Sequence, residues 1–225
     1  MFWQEDVQKE FFTVPENVVD VSFHIDCRTL PVDHAYALSA AVRGALPWFG
    51  EDPGDGLHLI HVADSGNGWE RPSHAFALLH LSRRTRLVLR LARDRVENAR
   101  ALSGQTLDVA GNAMLVGEAK VVPLSPVATL YARYIAAPAG QDEEQFIAEA
   151  VQQMRAMGVQ FKKVLAGKPH HFDTPDGPIH VRSLMVADLS PPDAVTLQER
   201  GLGPHRSLGC GLFIAHKSIN KVNSE

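Results

Sequence analysis

The stretch RGLGPHRSLGCGLF, Arg200 to Phe213, constrains this chain more than any other. Two glycine pairs, Gly201-Leu202-Gly203 and Gly209-Cys210-Gly211, bracket the basic insert Pro204-His205-Arg206-Ser207-Leu208. Glycine tolerates positive φ and lets another backbone approach where a Cβ would block it. Such a loop is expected to lay its N–H groups and an arginine against a phosphate chain. A nucleotide P-loop would need Gly-Lys-Ser/Thr opening a helix, and a dinucleotide fingerprint a strand before and a helix after. Here the order is reversed. Ser190-Pro191-Pro192-Asp193 starts a helix that continues through Ala194 to Arg200, and Cys210 to Ala215 reads as a short apolar strand.

Upstream, Asn17 to Cys27 alternates, with Val19, Val21, Phe23, Ile25 and Cys27 on one face, as a half-buried strand does. Asp33 is the expected N-cap of a helix whose apolar stripe is Leu38, Ala41, Val42, Ala45 and Leu46, ending before Pro47. Leu57 to Val62 reads as a short strand or as part of an excursion. Ala75 to Ser82 and Arg86 to Leu91 read as two strands around a basic turn, Arg93 to Leu102 as a helix stopped by Gly104, and Thr106 to Leu124 as a hairpin turning at Gly111-Asn112. Pro123-Leu124-Ser125-Pro126 reads as a joint. Beyond it the same order is expected again: strand Val127 to Ala136, helix Asp142 to Met157, strands Gln160 to Leu165 and Ile179 to Leu189, then the helix, glycine loop and last strand. The expected fold is α+β, with two ferredoxin-like βαββαβ units in tandem at residues 1–124 and 125–225.

The helix, bracketed glycine loop and final strand resemble the signature of the RAMP superfamily. More narrowly, they are similar to those of the CRISPR-associated endoribonucleases that cut precursor CRISPR RNA within its repeats. The resemblance implies a metal-independent cut, in which the ribose 2′-OH attacks the adjacent phosphate and leaves a 5′-OH and a 2′,3′-cyclic phosphate or 3′-phosphate. No cofactor is expected. Precursor repeat RNA is the expected partner, with subunits of a CRISPR effector complex as further candidates.

That chemistry needs a base near the 2′-OH, a cation or donors for the phosphorane, and an acid for the leaving oxygen. His34 is the first candidate, since capping by Asp33 would put it at the first helical position, where the dipole favours the neutral imidazole. The resemblance likewise implies a catalytic histidine on or near this first helix, facing the glycine loop. The alternative is a helix-start histidine making a local hydrogen bond. Tyr36 could donate to the scissile phosphate, or simply pack. Lys162 and Lys163 are adjacent in a predicted strand, so only one can face the cleft, and Lys163 is the candidate phosphorane stabiliser. Arg84, Arg86 and Arg90, expected on one strand face, suit phosphate contact, as do Gly201, Gly203, His205, Arg206, Gly209 and Gly211 of the loop.

The net charge of −4 excludes a generic polyanion binder, so any RNA surface must be local. Two distant cysteines, Cys27 and Cys210, give neither a disulfide framework nor a zinc set. His58 and His61, three apart and so on opposite faces of a strand, and the adjacent loop pair His170-His171 argue against a metal site. With no signal peptide or membrane span expected, the expected location is cytoplasmic. Two competing functions remain open. One is a RAMP subunit that only grips guide RNA. The other is a two-histidine 2′,3′-cyclic phosphoesterase, whose motif spacing His80-Leu81-Ser82 and His216-Lys217-Ser218 match.

Overall fold

The computed structural model of the protein describes residues 12–61 and 77–216. The first sheet is built around β1, Val18–Asp26, whose alternating side chains send Val19, Val21, Phe23 and Ile25 into a core. A short β2, Thr29–Pro31, leads into α1, Ala35–Ala45, which buries Leu38 and Val42 against that core. β3, Gly56–His58, β4, Leu78–His80, and β5, Arg86–Ala92, follow. Next come one turn of α2, Val96–Ala99, flanked by 3-10 turns, and the hairpin of β6, Thr106–Val109, and β7, Asn112–Pro123.

The second sheet takes β8, Thr129–Ala136, then α3, Glu143–Ala156, β9, Lys163–Phe172, and β10, Ile179–Ala187. α4, Pro191–Arg200, the glycine loop and β11, Phe213–Ala215, complete it. α3 starts where Asp142 accepts the N–H of Gln145 at 2.8 Å, and α4 where Ser190 accepts that of Asp193 at 3.3 Å.

The sheets run β3-β5-β1-β7-β6 and β11-β8-β10-β9, with all ladders antiparallel. In the second, β8 lies between β10, before α4, and β11, after it; in the first, β1 lies between β5, before α2, and β7, the longer arm of the hairpin that follows α2. A third, two-stranded sheet pairs β2 with β4. The hairpin expected between Ala75–Ser82 and Arg86–Leu91 is therefore corrected. The Ser82–Thr85 turn closes at 3.0 Å, but β4 leaves for β2 and the edge of β5 is taken by β3, which buries Leu57. Ala75 and Phe76 of that expected strand, and Val62 of the one before it, lie outside the described residues.

Smaller shifts follow from local geometry. The β6–β7 turn is Ala110-Gly111, both at positive φ, one residue earlier than expected. β9 starts later and runs on through His170-His171, so those histidines stand in a strand rather than a loop. No helix among the described residues is long and apolar enough to cross a membrane.

Candidate active site

The two sheets meet along a seam, and at its mouth lies a cleft of about 390 Å³. β3 ends at His58, and the chain Leu59-Ile60-His61 then leaves strand geometry, so His58 and His61 both line the cleft. Strand parity, which placed them on opposite faces, ceases to apply one residue after His58. Arg84 enters from the turn before β5, Arg86 from the first position of β5, Arg133 and Tyr134 from β8, and Asp20 from β1. Tyr134 is wedged between rings, with its centroid 5.7 Å from that of His61 and 4.7 Å from that of Phe172.

His34 stands directly behind this wall. Its Nδ1–H donates to the Pro31 carbonyl at 2.9 Å, and its Nε2 accepts the Ile60 N–H at 3.1 Å. The ring is 2% exposed. A histidine held between a backbone acceptor and a backbone donor is a fixed neutral tautomer. Expected as an accessible base in the first helical turn, His34 is instead the N-cap residue, without a side-chain cap bond, and it anchors the segment that carries His58 and His61. Asp33 stands just before the N-cap residue, and its carboxylate accepts the Asp173 N–H at 3.0 Å, tying the start of α1 to the end of β9.

Arg90 is corrected most sharply. Expected on a phosphate-binding face with Arg84 and Arg86, it is 1% exposed. Its guanidinium grips Asp20 through two bonds, of 2.8 and 2.9 Å, and donates across the seam to the carbonyls of Phe213 at 2.7 Å and Gln198 at 3.2 Å. Arg90 fastens the two sheets together. Burial opposes the charge of Asp20, but the Arg90 guanidinium and neighbouring His58 outweigh it and hold the carboxyl well below the usual carboxylate range. The pKa of His58, 3.4 Å from Asp20, is lowered as well, but by burial, which disfavours the imidazolium despite the carboxylate beside it.

The glycine loop is likewise turned inward. Gly201, Gly209 and Gly211 are buried, and only Gly203 of the four is exposed. Their N–H groups are taken within the protein: Gly201 donates to Leu197 at 2.9 Å, Gly209 to Arg206 at 3.0 Å, and Gly211 to Tyr134 of the neighbouring strand at 2.7 Å. A Cβ on Gly209 would sit 2.5 Å from Leu59 Cγ at the cleft wall, so this glycine lets the loop close against β3 and its continuation. Arg206, expected to meet phosphate, is 6% exposed, and none of its side-chain nitrogens has a hydrogen-bond partner among the described residues. Burial, with Arg90 nearby, lowers its pKa to about 10. His205 is exposed at the loop tip and faces a separate shallow groove beside His180.

Of the remaining candidates, Tyr36 is 39% exposed on α1 and does not line the cleft. Lys163 opens the outermost strand of the second sheet, where its ammonium stands 3.5 Å from Asp188. It does not line the cleft. His80 pairs with Thr29 and His216 lies beside Tyr131, so neither histidine of the phosphoesterase spacing lines the cleft; Lys217 and Ser218 lie outside the described residues. The structure thus brings together Arg84, Arg86 and Gly209 of the expected residues and adds Arg133, Tyr134, His58 and His61. The signal for the histidines was their spacing beside a strand too short to keep its parity.

Comparison with known proteins gives this arrangement a context. A family described as Cas6 Crispr matches residues 19–218. A CRISPR-associated endonuclease Cas6 from Myxococcus xanthus (strain DK1622) is 29% identical over 206 residues, covering 92% of this chain and 85% of that protein. A solved structure of a CRISPR associated protein Cas6 superposes with a TM-score of 0.63 at 14% identity, over 89% of this chain and all of that one (100%). The structure of a RAMP protein binding different RNA substrates gives 0.60 at 16% identity, over 88% and 100% of the two chains. At these identities the two structures speak for the fold.

Proposed function

The chain belongs to the Cas6 family of CRISPR-associated endonucleases, and we propose that it cuts precursor CRISPR RNA within its repeats, without a metal ion, by attack of a ribose 2′-OH on the adjacent phosphate. The observation that carries this reading is the cleft at the seam, where three arginines and two histidines converge in an otherwise acidic chain. Arg84, Arg86 and Arg133 offer planar, permanently charged donors to a phosphorane. Imidazoles exchange protons near neutrality, which suits both ends of the transfer. One takes the 2′-OH proton as the O2′–P bond forms; another returns a proton to the 5′ oxygen as the P–O5′ bond breaks. The two sheets, with their shared strand order, are read as tandem ferredoxin-like units, residues 1–124 and 125–225, meeting at this cleft.

The test is incubation of the purified protein with repeat RNAs in EDTA, each paired with a copy carrying one 2′-deoxy residue before the cut. A single cut that survives EDTA and is lost with the deoxy copy is the expected result. Tight binding without any cut would replace it with the guide-gripping role. A cut abolished by EDTA would overturn the metal-free chemistry. Arg84→Ala and Arg86→Ala are each expected to flatten the dependence of log affinity on log salt by roughly one contact's worth, measured by filter binding across salt. An unchanged slope removes that arginine from the RNA path.

A further inference from the structure

We infer that His58 is the general base of the cleft and that Asp20 is its positioning residue, itself fixed from the domain seam by Arg90. This deepens the proposed RNA cleavage and rests on it. Val19 and Val21 on one side of Asp20, and Leu57 beside His58, point into the core. Asp20 and His58 therefore rise on the opposite face of neighbouring ladders, with β5 between them. The residue facing Arg90 on β3 is Gly56, where a Cβ would meet the Leu212 side chain. The bare glycine gives Leu212 its place over β3, beside the Arg90–Asp20 pair that His58 reaches.

Asp20 Oδ1 lies 3.4 Å from His58 Nε2, and its two oxygens are pinned by Arg90 Nε and Nη2. At that distance, without the geometry of a formed hydrogen bond, the carboxylate favours the tautomer with its proton on Nε2 and leaves Nδ1 as the basic nitrogen. Such contacts are often loose before substrate arrives and tighten in the complex. Charged groups around this ring are Asp20 from β1, Arg90 from β5 and Arg206 from the glycine loop, with Arg84, Arg86 and Arg133 along the same cleft. In the reaction Nδ1 receives the 2′-OH proton, O2′ bonds to phosphorus, and the departing 5′ oxygen takes a proton from His61. Because Arg90 also holds the Phe213 and Gln198 carbonyls, the orientation of the base depends on the two sheets being docked.

Two measurements test this on the full chain. The His58 ring signal, identified by its loss in His58→Gln, is titrated by NMR in ring-labelled wild type and Asp20→Asn. Removing the carboxylate removes what favours the imidazolium, so the midpoint is expected to fall by about half a unit or more. An unchanged midpoint overturns the positioning role. In single-turnover cleavage, His58→Gln, which leaves the Asp20–Arg90 pair intact, is expected to be slower by about 10²–10⁴-fold with RNA affinity retained. Asp20→Asn is expected to slow the cut and move its acid limb to lower pH. Cleavage by His58→Gln at the wild-type rate overturns the catalytic role. Wild type inert on every repeat RNA would sink the nuclease reading itself, while the NMR midpoint still decides whether Asp20 governs His58.

Discussion

Replacing Arg90 by methionine is expected to cost about 3–5 kcal/mol of folding stability at neutral pH, the scale for breaking a buried pair from one side. Methionine fills much of the space, so the loss is electrostatic rather than volumetric. Asp20 would keep its charge with no guanidinium against it, and the Phe213 and Gln198 carbonyls would lose a donor at the seam. Urea unfolding at neutral pH measures it. The cost is expected to shrink in acid. In wild type the Asp20 pKa is depressed, so its contribution is present above the unfolded value of about 3.9 and persists until pH falls through the lower folded value. Without Arg90 burial dominates and raises the folded pKa, so the variant gains stability as pH falls through that value and Asp20 protonates. Adding Asp20→Asn to Arg90→Met should recover part of the loss at neutral pH, since no bare charge then remains. A cost at neutral pH below about 1 kcal/mol, the scale of an exposed ion pair, would show that Arg90 does not fasten the seam.

This network shows where reading the sequence stops. The alternation of β1 correctly separated Val19, Val21 and Phe23 from Asp20, and that of β5 separated the leucines from Arg86 and Arg90. Alternation reports which face a residue takes, and a polar residue on the outer face reads as solvated. Arg90 is buried because carbonyls more than a hundred positions away arrive over that face, which no local pattern encodes. The surroundings of His34 were hidden for a related reason. Its place at the start of α1 was legible to within one residue, but its partner Ile60 belongs to the segment after β3, and that contact turns a helix-start imidazole into a wall anchor. For His58 and His61 strand parity was used only against a shared metal ion, and it does not reach His61, because β3 stops at His58. The capping residues Asp142 and Ser190, whose partners lie three residues away, were placed correctly.

The glycine loop divides in the same way, and its four glycines are expected to respond differently to alanine. All four sit at positive φ, between 66° and 89°, which accounts for the residue type at each. At Gly211 the surroundings add a second constraint. Its carbonyl accepts the Leu202 N–H at 3.1 Å, its N–H reaches Tyr134 on β8, and a Cβ would run into the Leu202 backbone, including its carbonyl oxygen. Backbone cannot step aside as a side-chain tip can. Gly211→Ala is therefore expected to combine roughly 1–2 kcal/mol for the left-handed conformation with about 1–3 kcal/mol for overpacking, and to loosen the loop from the second sheet. At Gly203 a Cβ would meet nothing within 4 Å, so Gly203→Ala keeps the conformational cost alone, roughly 1–2 kcal/mol. Thermal melts of the two variants, run beside RNA binding, separate structure from contact. The expected order is a larger drop in Tm for Gly211→Ala, with RNA affinity falling only where folding fails. The reverse result, with Gly203→Ala stable but weakened toward RNA and Gly211→Ala close to wild type in both, would return the loop to the phosphate-cradling role read from its sequence.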